Sequence, residues 1–177
     1  AVGIGLTLKP AIDRETLGIS PEAAKEWQRH TEAEFRLWAS RKDACDATGM
    51  NNFDAMQQLA LVSWLMSGDV FPLIKRRPPD RIRPYSLRIH LVEADRVRTP
   101  TDYGGLLYPG ITNGENPNNG NRIFDGVEVD ASGMVVDYYV HSTDPWEITR
   151  TTDKWVRVEA YGKKTGLPNI LHVMSSE

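Results

Sequence analysis

The sequence predicts an α+β fold in which two amino-terminal helices pack on a mostly antiparallel sheet with β-hairpins. From about residue 20 to residue 68, hydrophobic residues recur every three or four positions, which is typical of helices. From residue 69 to residue 174 they alternate with polar residues between turn-forming segments, which is typical of strands. We therefore expect a single α+β domain over residues 1–177, with a helical part at 20–68 and a sheet part at 69–174.

The first helix is predicted to begin after Ser20 and to run to about Arg41. Ser20 can cap free backbone amides, Pro21 suits the first helical position, and Glu22 lies near the positive end of the helix dipole. One stripe of this helix carries side chains at spacings of three and four, and we expect it to face the core. These side chains are Ala24, Trp27, Thr31, Phe35 and Trp38.

The second helix is predicted to begin at Phe53 and to stop at Gly68, with Asn51 or Asn52 as its cap. Its second half, residues 59–66, is apolar on nearly all sides. We therefore expect this helix to be buried between layers and not to lie on the surface.

The sheet part is predicted to contain six strands. In the second of them, apolar Leu87, Ile89 and Leu91 alternate with Arg88 and His90, a pattern typical of a strand with one face in water. A turn at 130–133 joins the third and fourth strands into a hairpin, and residues 99–121 form a long irregular segment rich in asparagine and glycine. The predicted strands cover residues 69–74, 85–92, 123–129, 134–141, 155–158 and 169–173.

The composition excludes several classes of protein. Lysine and arginine total 21 against 24 aspartate and glutamate, so the net charge of -3 argues against a surface that binds nucleic acid over its whole extent and leaves room only for local basic patches. The longest apolar runs, 59–66 and 134–136, are far shorter than the ~20 residues of a membrane-spanning helix. The single cysteine, Cys45, excludes an intramolecular disulfide and a multi-thiolate metal site.

Acidic residues at strand ends are the main candidates for chemistry. Glu93 and Asp95 follow one strand, and Glu128 and Asp130 lie in the hairpin. If they converged, they could form the site of a divalent-metal-dependent hydrolase. The favoured interpretation is that they accept backbone hydrogen bonds in turns, so we assign no catalytic residue, no metal site and no cofactor.

The loop between the first two strands is basic. Five residues in nine positions could contact DNA phosphates or a partner, which would suit a small nucleic-acid-binding adaptor. Because no aromatic residue for base stacking is interleaved, the favoured interpretation is a solvated connection stiffened by proline. The five residues are Lys75, Arg76, Arg77, Arg81 and Arg83.

The order of the motifs along the chain is distinctive. A tryptophan-bearing helix, an acidic turn and an apolar helix lead into Gly68-Asp69-Val70-Phe71. Next come Val92-Glu93-Ala94-Asp95, an asparagine-rich loop and the hairpin at 126–133. The last motifs are the aromatic strand Tyr138-Tyr139-Val140 and the segment Ile170-Leu171-His172-Val173. In this order the motifs resemble the amino-terminal half of lambda-family bacteriophage portal proteins. The resemblance assigns signature positions with a structural role to Gly68, Asp69, Glu93, Asp95, Gly126, Glu128, Asp130 and Gly133.

The resemblance implies a structural subunit and not an enzyme. Its partners would be other copies in a twelve-membered ring at the capsid vertex, terminase, capsid or scaffold proteins, the head-tail connector, and double-stranded DNA passing through the ring. It would be located in the virion and, during assembly, in the host cytoplasm, without membrane association. Because family members are longer, we expect this chain to be the wing region of a longer protein, with the channel-lining helices, stem and crown after Glu177.

Overall fold

A computed structural model describes residues 5–105, 113–142 and 154–174. The helices in these residues are α1 (Arg14–Leu17), α2 (Pro21–Ser40), α3 (Lys42–Cys45) and α4 (Phe53–Ser67). The strands are β1 (Asp69–Arg76), β2 (Leu87–Val92), β3 (Asn113–Glu115), β4 (Arg122–Phe124), β5 (Val127–Val129), β6 (Val135–Ser142), β7 (Lys154–Glu159) and β8 (Val173–Met174). The predicted α+β class is confirmed.

The described strands form two sheets where the sequence predicted one. The larger sheet has the order β3-β4-β5-β6-β7, and each neighbouring pair is antiparallel. The smaller sheet has the order β2-β1-β8, with β1 and β8 antiparallel. No helix within the described part of the chain is long and apolar enough to cross a membrane.

The density of backbone contacts divides the chain into two compact units. The first takes its residues from 1–62 and 75–90, and the second from 63–74 and 91–177. The chain passes between the units within α4, β1 and β2. The single domain expected over residues 1–177 remains a prediction.

An aromatic cluster holds the first unit together. Trp38 packs against Phe35 and Phe53 with ring centroids 5.5 and 5.1 Å away, and its indole Nε1 donates a hydrogen bond to the Leu87 carbonyl at 2.9 Å. The predicted start of α2 is confirmed, because the Ser20 hydroxyl accepts a hydrogen bond from a backbone amide of the first turn.

The predicted core stripe of α2 is only partly correct. Ala24 and Trp38 are buried and Phe35 is half-buried, but Trp27 is 44% exposed. The aromatic contacts described for this helix all involve Phe35 or Trp38. The stripe therefore meets its aromatic partners in its carboxy-terminal half, and the expectation for Trp27 was wrong.

The turn that leads into α4 is organised by buried Asp46. Its carboxylate accepts hydrogen bonds from the backbone amides of Thr48, Met50 and Asn51 at 2.8 to 3.1 Å. Burial acts to raise the pKa of Asp46, but these bonds outweigh it and lower that pKa. The adjacent Cys45 is fully buried, and burial raises the pKa of its thiol to about 11.

Helix α4 has the predicted bounds but not the predicted burial. Asn52 caps it by accepting the Ala55 amide at 2.9 Å, and Gly68, at φ +84, follows its last residue. Met56 is its buried residue. Leu59, Val62, Leu65 and Met66 are 48 to 81% exposed, so the expectation that the helix is buried was wrong. An apolar composition shows that a helix is able to bury a face, but it does not supply a partner. The described residues leave this apolar face of α4 uncovered.

Four predictions for the sheet part were also wrong in detail. In β2, Arg88 is 6% exposed and Leu87 36%, the reverse of the predicted wet face, because the Arg88 guanidinium donates to the Asp43 carbonyl. The strand predicted at 123–129 is divided into β4 and β5 by a turn at Asp125 and Gly126. The segment predicted to be irregular at 99–121 contains β3, and the strand predicted at 169–173 is reduced to β8 and a bridge at Ile170.

The core of the second unit lies against one face of β6. Tyr138 and Val140 point into it, while their neighbours Asp137, Tyr139 and His141 alternate with them along the strand and are also buried. Strand β6 is therefore covered on both faces, with an apolar core on one side and polar groups on the other. The buried members of the core cluster are Phe71, Val92, Val97, Tyr138, Val140, Ala160 and Ile170.

The two tryptophans of α2 provide a matched test of this packing. Trp38→Ala should lower the free energy of unfolding by about 3 to 5 kcal/mol, because it removes buried aromatic contacts. Trp27→Ala should lower it by only about 1 kcal/mol, because that side chain is 44% exposed and has no aromatic contact among the described residues. Urea unfolding followed by circular dichroism measures both. Equal losses would contradict the assignment of Trp38 as the anchor of the cluster.

Candidate functional site

The four acids that could have formed a metal site lie in different local settings. Asp130 accepts hydrogen bonds from the Ser132 hydroxyl and from the backbone amides of Met134 and Ser132, which close its turn and lower its pKa. Glu93 is exposed and immediately precedes a short 3-10 turn that contains Asp95. Within residues 5–105, 113–142 and 154–174, no three histidine, cysteine, aspartate or glutamate side chains are placed to hold a metal ion.

The fourth acid, Glu128, is fully buried in a network of neutral donors. One carboxylate oxygen accepts hydrogen bonds from Asn116 and Tyr139 at 3.0 and 2.5 Å. The other accepts them from Asn119 and Asn121 at 2.7 and 2.8 Å. Burial acts to raise the pKa of Glu128, but the four donors together lower it. The network compensates for the loss of hydration of the carboxylate.

This network holds the asparagine-rich loop against the larger sheet. The side chains of Asn116, Asn119 and Asn121 all end on Glu128, and the Asn116 backbone amide donates to the Asn121 carbonyl at 2.9 Å. Glu128 was among the residues singled out from the sequence, but its asparagine partners and Tyr139 were missed. The repetition of asparagine at 116–121 was the available signal, since each amide group carries two donors.

Two signature segments that are distant in sequence meet in the second unit. His172 Nε2 lies 3.2 Å from Asp69 Oδ1, and the imidazole stacks on the ring of Phe71 with centroids 4.4 Å apart. The edge of Tyr138 also contacts the imidazole, at 5.9 Å. The Gly68-Asp69-Val70-Phe71 motif thus binds the histidine of the last motif through one polar and one stacking contact.

A cavity of about 420 Å³ opens beside this pair, and we call it the acidic cavity. The carboxylates of Asp69, Asp95 and Asp125 line it together with aromatic rings. Burial and then the charge of Asp69 raise the pKa of Asp125. The side chains relevant to its chemistry are Asp69, Phe71, Asp95, Phe124, Asp125 and His172.

The shape of the acidic cavity depends on the turn between β4 and β5. Asp125 adopts φ +46, a conformation that non-glycine residues rarely take. Gly126 adopts φ +85, and a Cβ atom there would lie 2.4 Å from the backbone nitrogen of Arg98. The backbone of Arg98 therefore approaches this turn at a distance that only glycine permits.

The basic loop is the connection between β1 and β2, and we call residues 75–83 the basic hairpin. The Arg77 amide closes it by donating to the Ser86 carbonyl at 2.9 Å. Arg83 pairs with Asp80 at 2.6 Å, and its hydrogen bonds lower the pKa of Asp80 to about 2. The other four basic side chains are exposed, and none forms an ion pair with a described residue. They are Lys75, Arg76, Arg77 and Arg81.

Among the described residues, Glu128 and Asp130 serve a network and a turn, and exposed charges lie on the basic hairpin and around the acidic cavity. The family model for phage portal proteins of the lambda family matches residues 1–177, the whole chain, and the chain belongs to that family. A search of curated proteins gives no match. The resemblance found in the sequence is therefore confirmed.

Two glycines of the signature test how tightly the turns are constrained. Gly133 adopts φ +86, and no described atom lies within 4 Å of the position that a Cβ would occupy, so Gly133→Ala should cost only about 1 to 2 kcal/mol of backbone strain. Gly126→Ala should cost about 1 to 3 kcal/mol more, because the methyl group meets the Arg98 backbone. Thermal unfolding of both variants measures the difference, and equal losses would show that Arg98 does not constrain the turn.

Proposed function

We propose that this chain is part of a structural, non-enzymatic subunit of the portal ring at the capsid vertex, through which double-stranded DNA passes during packaging and ejection. The observation that carries the proposal is the match of the lambda-family portal model to residues 1–177. The proposed assembly is a ring of twelve copies that docks terminase, capsid or scaffold proteins and the head-tail connector. Its proposed location is the virion, and the host cytoplasm during assembly.

The proposed role of the signature positions is structural. Gly68, Gly126 and Gly133 all adopt positive φ at the ends of helices or strands. Glu128 and Asp130 accept the hydrogen bonds that order a loop and a turn. These contacts support a subunit that presents well-defined surfaces to neighbours, since loops that are held in place lose little entropy on binding.

The basic hairpin is proposed as a contact surface for DNA or for a protein partner. Four of its five cations are exposed and carry no ion pair to a described residue. Exposed lysine and arginine side chains bind phosphates and carboxylates through charge-assisted hydrogen bonds. The fifth cation, Arg83, is held by Asp80 and contributes less.

A stop codon in the gene that encodes this chain tests the proposed function. In a phage that carries the gene, the stop codon should yield capsids without packaged DNA, because the genome has no vertex through which to enter. Supplying the intact gene from a plasmid should restore filled capsids, and a synonymous change at the same codon is the control. Electron microscopy and nuclease protection count filled and empty capsids. Filled capsids in the absence of the gene product would contradict the proposal.

A further inference from the structure

The basic hairpin and the acidic cavity are two surfaces of opposite charge in one chain. The hairpin lies in the first unit, and the cavity lies in the second. Each also carries an exposed apolar group, since Ile82 on the hairpin is 69% exposed and Phe124 at the cavity is 44% exposed. The two surfaces therefore match in charge and in apolar character.

The chemistry of the basic hairpin favours protein carboxylates over DNA. Asp80 lies in the hairpin but is paired with Arg83, so the two charges offset each other. Ile82 is 69% exposed at the same place and favours a protein surface, because a phosphate backbone offers it no apolar contact. Arginine forms planar, two-pronged hydrogen bonds with carboxylates, and Arg76, Arg77 and Arg81 are all exposed.

The acidic cavity offers exposed carboxylates to an incoming cation. Asp95 and Asp125 are exposed and form no ion pair with a described residue, whereas Asp69 is already engaged by His172. Arg98 also lines the cavity, but the three carboxylates outnumber its single positive charge. An incoming segment that brought cations would pair with Asp95 and Asp125.

We propose that the basic hairpin of one copy docks into the acidic cavity of a second copy of this chain. The arginines would pair with Asp95 and Asp125, and Ile82 would cover Phe124. Because the two surfaces are different, the contact is head-to-tail, and such contacts form a ring when the rotation from copy to copy closes. The inference rests on the proposed ring function and adds to it the surfaces through which neighbours meet.

Reversing the charges of each surface in separate proteins tests the docking. The hairpin variant carries Arg77→Glu and Arg81→Glu, and the cavity variant carries Asp95→Lys and Asp125→Asn, since asparagine tolerates the positive φ of that position. The wild-type chain should self-associate in sedimentation velocity, less at high salt. Each variant alone should associate at least about tenfold more weakly, because like charges then face each other. A mixture of the two variants should associate again, because each remaining pairing joins opposite charges.

The controls separate docking from folding and from DNA binding. Arg29→Glu with Arg36→Glu changes the net charge as much as the hairpin variant but alters exposed positions of α2, and it should associate like the wild type. All variants should unfold at temperatures close to that of the wild type. A wild-type chain that remains monomeric, or a mixture that fails to associate, would overturn the docking. Salt-dependent binding of duplex DNA that the hairpin variant loses, without any self-association, would overturn it in favour of a DNA contact.

The outcome for docking is independent of the outcome for the proposed function. If the stop codon abolishes packaging but the variant mixture does not associate, the chain is a portal subunit whose neighbours meet elsewhere. If the variants behave as expected but packaging proceeds without the gene, the hairpin and cavity join copies of a protein with a different role. Each experiment can therefore contradict one proposal without contradicting the other.

Discussion

The burial of the Glu128 carboxylate is the constraint on which the second unit depends. A charge removed from water is tolerated only when hydrogen bonds replace its hydration. Here the replacements are three asparagine amides and the Tyr139 hydroxyl, which come from a loop and from β6. The hydrogen bonds to this one carboxylate thus hold the asparagine-rich loop against the larger sheet. Tyr103 packs edge-on against Tyr139 at 5.6 Å and extends the same constraint to the beginning of the loop.

Features that depend on neighbouring residues in sequence could be predicted. The Ser20 and Asn52 caps and the Asp130 turn each join residues three or four positions apart, and each is confirmed. Features that depend on distant residues could not be predicted. Arg88 is buried with its guanidinium donating a hydrogen bond to a carbonyl 45 positions away, and Glu128 accepts hydrogen bonds from loop residues 7 to 12 positions away. Periodicity predicts which face of an element is apolar, but not what covers that face, and therefore the exposure of Trp27 and of α4 was missed.

The family signature acquires a physical meaning from these contacts. Gly126 allows the Arg98 backbone to approach the turn between β4 and β5. The contact between Asp69 and His172 joins the Gly68-Asp69-Val70-Phe71 motif to the last motif of the chain. Two of the acids that first suggested metal-dependent hydrolysis, Glu128 and Asp130, accept hydrogen bonds within a loop network and a turn. The motifs therefore mark positions at which a turn, a loop and two distant segments are held in place.

The structural role of Glu128 can be tested directly against the metal-site hypothesis. Thermal unfolding of the wild type and of Glu128→Gln, with and without magnesium, manganese or calcium ions, compares the two. We expect Glu128→Gln to lower the free energy of unfolding by about 1 to 3 kcal/mol for each amide donor left without an acceptor, and we expect no metal ion to shift either protein. A metal-dependent rise in the unfolding temperature of the wild type that is absent from Glu128→Gln would contradict the structural role.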